Sequence, residues 1–210
     1  MSFHKSQTQN FRSIWHSPWE VRGESTQTMA ANNAAVTAYV GLGSDLGDRA
    51  GNLLLGVRGL IEACFEVTAI SCIYESEPID MDGAPDFLNM AVALRCKEVT
   101  PTQLMARLLR IEYNLGRTAK TFHKPRTIDL DLLFFGETKM DTPFLTLPHP
   151  RIHLRKFVLL PLNDIAPKLR HPVLGKTIGE LLAATPDDSR IEKWLPAGVN
   201  GGFAAEVAGV

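Results

Sequence analysis

The run Ile128-Asp-Leu-Asp-Leu-Leu-Phe-Phe135 is strongly apolar, yet it carries two carboxylates near its start. Its length and its bulky apolar content predict a strand. Side chains two positions apart on a strand point to the same face, so Asp129 and Asp131 should lie side by side. The opposite face should carry Ile128, Leu130, Leu132 and Phe134.

The hydrophobic pattern upstream of this run predicts two helices and three further strands. The predicted elements are a strand at 38–42, a helix at 49–64, strands at 67–74 and 87–96, a helix from Thr100 to Gly116, and the strand at 128–135. The second helix has a capping Thr100, a proline at its first position and Gln103 three residues after the cap. This order is typical of a ferredoxin-like α+β fold, with helices on one face of a mostly antiparallel sheet.

Composition divides the chain into three regions. Residues 1–35 are polar and aperiodic, which predicts a disordered N-terminal extension. Met29 is a candidate for the true start, in which case residues 1–28 would be an artefact of start-site choice. We expect one folded domain at 36–185 and an irregular tail at 186–210.

The bulk properties exclude several classes of protein. The net charge of −1 provides no overall positive field for nucleic acid or an anionic membrane. The apolar runs are too short to span a bilayer, and no signal peptide is recognisable. The three cysteines lack paired spacing and lie in apolar stretches, so we expect buried thiols. These features predict a cytoplasmic protein without a nucleic-acid or membrane partner. We also expect a monomer whose partners are small molecules.

The aspartate pair is a candidate metal site. Two carboxylates on an apolar strand are costly to bury, and magnesium is typically held by one or two carboxylates together with substrate phosphates. The alternative is an edge strand whose second face is hydrated. Basic residues that could bind phosphate precede the pair: Arg117, Lys120, His123, Lys124 and Arg126.

Three further features are weaker when each is taken alone. His149 lies between two prolines, which restrict the backbone around it, although such a histidine is more often structural. Asn89 and Phe87 should share one face of their strand, where an amide beside an aromatic ring suits a flat heteroaromatic ligand. Glu112 lies near the end of the second helix, where a single glutamate is usually solvated.

Six segments in this order resemble the 6-hydroxymethyl-7,8-dihydropterin pyrophosphokinase family over about residues 38–182. The segments are GLGSDLGDR at 41–49, YESEP at 74–78, DFLN at 86–89, Ile111-Glu112 with Gly116-Arg117, PRTIDLD at 125–131, and LPHPR at 147–151 with Arg155 and Phe157. The resemblance implies a ferredoxin-like αβα sandwich with helices on both sides of the sheet. It also implies transfer of pyrophosphate from ATP to the pterin hydroxymethyl group, with release of AMP.

The resemblance also implies roles for individual residues. Asp129 and Asp131 would bind two magnesium ions, while Arg117 and Arg126 would contact the phosphates as catalytic residues. The remaining ATP-binding residues would be Glu112, Lys120, His149 and Arg155. The pterin-binding residues would be Ser44, Tyr74, Ser76, Phe87, Asn89 and Phe157.

The chain also departs from the family pattern. Asp45 stands where asparagine is usual, and the loop between Arg117 and Arg126 is one residue shorter and lacks tryptophan. In the family this loop acts as a lid, so turnover could be altered. Two alternatives stay open: a nucleotidyltransferase-like enzyme with the same aspartate pair, and a ferredoxin-like ligand-sensing or RNA-binding module without catalysis.

Overall fold

A six-stranded antiparallel sheet with helices on both faces forms the centre of the computed structural model, which describes residues 35–78, 85–116 and 126–196. The strands are β1 (Val36–Ser44), β2 (Glu66–Ile70), β3 (Tyr74–Ser76), β4 (Phe87–Cys96), β5 (Asp129–Phe135), β6 (Met140–Asp141), β7 (Thr146–Leu147) and β8 (Ile191–Lys193). The helices are α1 (Arg49–Glu62), α2 (Pro101–Asn114), α3 (Lys156–Ile165) and α4 (Ile178–Ala184), and a short 3-10 helix covers Ile152–Leu154.

The strand order in the main sheet is β5-β1-β4-β3-β8, and β2 also pairs with β4. The strand β5, which carries the aspartate pair, therefore lies at an edge of the sheet. The strands β6 and β7 form a separate two-stranded ribbon. All described residues belong to one unit, Asn33–Val210. None of the helices in this part of the chain is long and apolar enough to cross a membrane.

The apolar side chains form two clusters, one on each face of the sheet. The first joins α1 and α2 to the sheet through residues such as Leu53, Leu104 and Leu88. The second joins α3 and α4 to the opposite face through Leu159, Ile178 and Ala91. The expectation from the strand and helix pattern, helices on one face only, is therefore wrong. The two-sided arrangement implied by the family resemblance is confirmed.

The strand β5 does not alternate regularly. Tyr39 of β1 pairs with Phe134, whereas Val40 pairs with Leu132, so Leu133 is an extra residue in β5. Such a bulge reverses the facing of the residues beyond it. Phe134 consequently packs in the second cluster, with its ring edge-on to Tyr39 at 6.3 Å. The prediction that Phe134 shares a face with Leu130 is wrong for this reason.

The predicted start of the second helix is confirmed. The Thr100 side chain accepts a hydrogen bond from the Gln103 amide, and the Gln103 side chain accepts one from the Thr100 amide. The helix ends at Asn114, shortly before Gly116 adopts a φ of +97°, a conformation that favours glycine. This helix therefore begins and ends through local chemistry that the sequence displays.

Other expectations need correction. The predicted strand at 67–74 is divided into β2 and β3, and β8 lies in the tail expected to be irregular. The helix α1 ends at Glu62, so Cys64 lies beyond it and is exposed. Ile61 is 57% exposed rather than part of the buried stripe. Of the three cysteines, only Cys96 is buried. The predicted extension at 1–35 and the tail beyond 196 lie outside the described residues, apart from residue 35.

Candidate active site

Two glycines of β1 separate the aspartate pair from Asn89. In the register of the sheet, Gly43 pairs with Asp129 on one side and with Asn89 on the other. Gly41 pairs in the same way with Asp131 and Ala91. Because directly paired residues share a face, these side chains all point toward the α3 side. We call this surface the glycine floor: Gly41 and Gly43, flanked by the aspartate pair and by Asn89.

The glycine floor sets the dimensions of the site. Neighbouring strands lie about 4.8 Å apart, so Asp129 and Asn89 are separated by roughly 10 Å across two strand spacings. A side chain at Gly43 would begin 3.6 Å from the Asn89 Oδ1 atom. The absence of that side chain leaves open space between the carboxylates and the amide. A small planar molecule could therefore lie at Asn89 while an extended anion reaches the aspartates.

Arg126 and Asp45 hold the chain that leads into β5. The Arg126 guanidinium donates to Asp129 Oδ2 at 2.7 Å, and the Arg126 amide donates to Asp45 Oδ1 at 2.6 Å. Asp45 is only 2% exposed, and its Oδ2 atom has no hydrogen-bond partner in the described part of the chain. Asp45, which stands where asparagine is usual in the family, thus holds the segment that precedes the aspartate pair.

Glu112 is buried, so the expectation of a solvated glutamate is wrong. It is 3% exposed, and its Oε1 atom accepts a hydrogen bond from the Leu130 amide at 2.8 Å. Leu130 lies between the two aspartates on the edge strand β5. An edge strand has backbone amides that no neighbouring strand can pair. Glu112 satisfies one of these amides and so supports the backbone between the two carboxylates.

His149 and Arg155 lie within electrostatic reach of the aspartate pair. Burial lowers the pKa of His149 to about 4, with Arg155 and Arg151 adding to the effect and Asp129 opposing it. Burial and Arg151 also lower the pKa of Arg155, whereas Asp131 and Asp129 raise it. The site therefore collects positive groups beside two carboxylates, and His149 is neutral at pH 7. Arg151 belongs to this group, although the sequence interpretation assigned it no role.

Four of the predicted pterin-binding residues form a second group on the same face: Tyr74, Ser76, Phe87 and Asn89. The Asn89 side-chain amide donates to Ser76 Oγ at 3.0 Å, and both residues are buried. Tyr74 pairs with Asn89 across β3 and β4, and its hydroxyl donates to Asp164 on α3 at 2.9 Å. Burial and this hydrogen bond raise the pKa of Tyr74 to about 12. The Tyr74 hydroxyl is thus hydrogen-bonded to α3.

Two aromatic rings, Phe87 and Phe157, lie on this same side of the sheet but belong to different elements. Phe87 pairs with Ser76 at the start of β4 and shares the face of Asn89. Phe157 lies in the first turn of α3, where the Arg155 guanidinium is 5.4 Å from its ring centroid. Arg155 thus lies between the charged group and the aromatic group. Sequence spacing alone could not predict that Phe157 lies on this side of the sheet, because its position depends on how α3 packs.

Some predicted residues are not brought into this arrangement. Ser44 is fully buried on the α1 side of the sheet, where its hydroxyl accepts a hydrogen bond from the Asn52 side-chain Nδ2 at 3.2 Å. It therefore faces away from Asn89. Arg117 and Lys120 lie outside the described residues, as do His123, Lys124 and the rest of the loop.

The aspartate pair fits a magnesium site only with ligands from a substrate. Among the described residues, no group of three or more His, Cys, Asp or Glu side chains could hold a metal ion. Magnesium is commonly bound by one or two carboxylates, with waters and substrate phosphates as its other ligands. Two neighbouring carboxylates beside cationic side chains match that type of site. A structural metal cage does not fit.

The Glu112 hydrogen bond can be tested by amide hydrogen exchange at Leu130. In Glu112→Gln the side-chain oxygen can still accept, whereas in Glu112→Met it is lost. An unpaired buried amide costs about 1–3 kcal/mol, so exchange at Leu130 should be roughly 10- to 100-fold faster in the methionine variant than in the glutamine variant. The Val92 amide, in the central strand β4, serves as the internal control. Equal Leu130 rates in the two variants would contradict the role given to Glu112.

The state of His149 can be tested by NMR titration and by unfolding at several pH values. The folded-state pKa of about 4 lies below the ordinary value of 6.5. Between these values the unfolded chain binds a proton that the folded chain does not, so stability falls as the pH is lowered through this range. Relative to His149→Gln, the parent chain should lose stability from pH 6.5 toward pH 4. A ring titration at or above the ordinary value would contradict the assignment.

Comparison with known proteins places this geometry in a family. Residues 39–167 match the profile of 7,8-dihydro-6-hydroxymethylpterin-pyrophosphokinase (HPPK). A 2-amino-4-hydroxy-6-hydroxymethyldihydropteridine pyrophosphokinase from Bacillus subtilis is 37% identical over 75% of this chain and 89% of its own length. The enzyme of the same name from Pseudomonas aeruginosa is 39% identical over 70% of this chain and 91% of its own.

Larger proteins match over part of their length. The mitochondrial folate synthesis bifunctional protein of Pisum sativum is 40% identical over 60% of this chain, which spans 24% of that protein. A crystal structure of Plasmodium falciparum HPPK-DHPS matches with a TM-score of 0.59 at 17% identity, covering 73% of this chain and 44% of that chain. At that identity the structural match supports the fold alone. Together with the family profile, the sequence matches show that this chain belongs to the 7,8-dihydro-6-hydroxymethylpterin-pyrophosphokinase family.

Proposed function

We propose that the chain transfers pyrophosphate from ATP to the hydroxymethyl group of 6-hydroxymethyl-7,8-dihydropterin, releasing AMP, as a step of folate biosynthesis. The observation that carries the proposal is the glycine floor, which has the aspartate pair on one side and Asn89 on the other. The family match and two bacterial pyrophosphokinases that this chain covers over most of their length support it.

The aspartate pair is the proposed site of the metal. Asp129 and Asp131 would hold magnesium together with the ATP phosphates, and the metal would supply charge neutralisation at the transferred group. Two ions, as implied by the family resemblance, remain a prediction. Nucleotidyl transfer by the same aspartates would instead release pyrophosphate, so the identity of the product separates the two reactions.

The cationic side chains would bind and orient the triphosphate. Arg126 is paired with Asp129, and Arg155 is within electrostatic reach of both aspartates. Guanidinium groups bind phosphate oxygens in a fixed geometry and keep their charge at neutral pH. Neutral His149 can serve as a hydrogen-bonding partner to a phosphate without adding a charge. Arg117, Lys120 and Glu112 remain predicted ATP-site residues.

The pterin would lie on the other side of the glycine floor. Asn89 and Ser76 offer hydrogen-bonding groups for the edge of a flat ring, and Phe87 and Phe157 offer apolar faces. The substrate hydroxyl would attack the β-phosphorus, the bond from that phosphorus to the α-phosphate oxygen would break, and the hydroxyl proton would pass to solvent. The main contribution of the sheet is to hold the aspartate pair and Asn89 roughly 10 Å apart, so that the two substrates meet between them.

Small-molecule substrates fit this proposal, and a monomeric state and a cytoplasmic location remain predictions that accompany it. The weak net charge favours neither nucleic acid nor an anionic membrane as a partner.

Removal of either carboxylate of the pair tests the proposed reaction. We expect Asp129→Asn and Asp131→Asn to lower AMP release from ATP and hydroxymethyldihydropterin at least about a hundredfold, since the metal supplies several kcal/mol of charge stabilisation. The matched control is Glu137→Gln, which removes one charge from an exposed turn after β5. Circular dichroism checks that each variant folds. Near-normal AMP release in folded aspartate variants would contradict the metal assignment, and pterin-dependent pyrophosphate release would contradict the reaction.

A further inference from the structure

Arg49 joins three elements on the α1 side of the sheet. It is the first residue of α1, and its Nη2 atom lies 2.7 Å from Glu75 Oε1 in the middle of β3. Its Nη1 atom donates to the backbone carbonyl of Asp86, directly before β4, at 2.6 Å. The Arg49 and Glu75 side chains are 26% and 34% exposed, so this contact is partly shielded from water. One guanidinium therefore connects α1, β3 and the start of β4.

Each contact of Arg49 is next to a predicted pterin-binding residue. Glu75 lies between Tyr74 and Ser76, and Asp86 immediately precedes Phe87. Glu75 pairs with Leu88, whose side chain belongs to the α1-side cluster, so Glu75 points away from the face of Asn89. Arg49 therefore cannot touch a ligand at Asn89. It can act on that face only through the backbone of β3 and β4.

A second arginine, Arg190 in the C-terminal tail, contacts the residues that follow β3 and precede β4. The Arg190 amide donates to Glu77 Oε1 at 2.9 Å, and its Nη2 atom lies 3.3 Å from Asp86 Oδ2. Arg49 and Arg190 thus bind Asp86 at different atoms, one at the carbonyl and one at the carboxylate. The Arg190 side chain is 62% exposed, and a contact of that kind is worth little. Arg49 is the better shielded of the two.

We propose that Arg49 is a positioning residue for pterin binding, which holds Ser76, Phe87 and Asn89 in register from the opposite side of the sheet. This inference rests on the proposed function, because it assigns the Asn89 face to the pterin. The two acceptors lie in different strands, and the planar guanidinium reaches both at once. Lysine offers a single ammonium without that fork, so it retains the charge but should bind only one acceptor well.

The ion pair between Arg58 and Glu62, both in α1, provides a matched control. Arg58 lies 2.7 Å from Glu62 in α1, the same separation as between Arg49 and Glu75, but the two side chains are 71% and 62% exposed. Among the described residues, the polar contact of Arg58 is with Glu62 on its own helix and does not reach β3 or β4. The variants Arg49→Gln, Arg49→Lys and Glu75→Gln are therefore compared with Arg58→Gln.

Steady-state kinetics with each substrate varied separately is the first readout. We expect Arg49→Gln to raise the KM for the pterin about 10- to 100-fold, by analogy with the loss found when hydrogen-bond partners behind metal ligands are removed. The KM for ATP and the kcat should change less than about threefold, and Arg49→Lys should be intermediate. Glu75→Gln should add little to Arg49→Gln, because both remove the same contact. Arg58→Gln should behave as the parent.

Hydrogen exchange of the Ser76 and Phe87 amides is the second readout and requires no catalysis. Faster exchange there in Arg49→Gln, but not in Arg58→Gln, supports the positioning role. Unchanged exchange with an unchanged pterin KM, or an equal rise in both KM values, would overturn it. A parent chain that releases no AMP with the pterin would instead overturn the proposed function. The exchange result would then test only whether Arg49 holds β3 and β4 in place.

Discussion

The antiparallel register of β1 between β5 and β4 is the constraint on which the rest of the site depends. It sets Gly43 between Asp129 and Asn89, and Gly41 between Asp131 and Ala91. A shift by one residue would move both aspartates to the opposite face of the sheet. The same register keeps the carboxylates and the amide roughly 10 Å apart, with no side chain between them. The separation between the proposed metal ligands and the proposed pterin contact is thus a property of the sheet.

The position of β5 at the edge of the sheet explains why charged residues are buried around it. Glu112 satisfies the Leu130 amide, Asp45 satisfies the Arg126 amide, and Arg126 pairs with Asp129. The Glu112 contact replaces a backbone hydrogen bond that a further strand would have made, and the other two hold the segment before β5. On the far side of Asn89, Arg49 contacts the middle of β3 and the residue before β4, and Arg190 contacts the residues that follow β3 and precede β4. Charged side chains therefore hold the edge strand and the segments that lead into β4 and β5.

Local sequence signals predicted the parts of the fold that depend on local chemistry. Thr100 and Gln103 identify the start of α2, and the alternation at 87–96 identifies β4, because capping and strand facing are decided within a few residues. The bulge at Leu133 and the hydrogen bond of Glu112 depend on a partner strand or on a distant edge. The family resemblance assigned Asn89 to the pterin and the aspartate pair to the metal, and the register of β1 puts them on one face. The resemblance also assigned Ser44 to the pterin site, but Ser44 follows Gly43 on β1 and therefore faces the α1 side of the sheet.

We propose that one face of the sheet binds the metal and the pterin on opposite sides of the glycine floor. A crystal structure of the protein with manganese in place of magnesium, a non-hydrolysable ATP analogue and hydroxymethylpterin tests it most directly. We predict anomalous scattering from manganese bonded to the carboxylates of Asp129 and Asp131, with the pterin ring hydrogen-bonded to Asn89 on the same face. Metal bound by neither aspartate, or a pterin bound away from Asn89, would contradict the account.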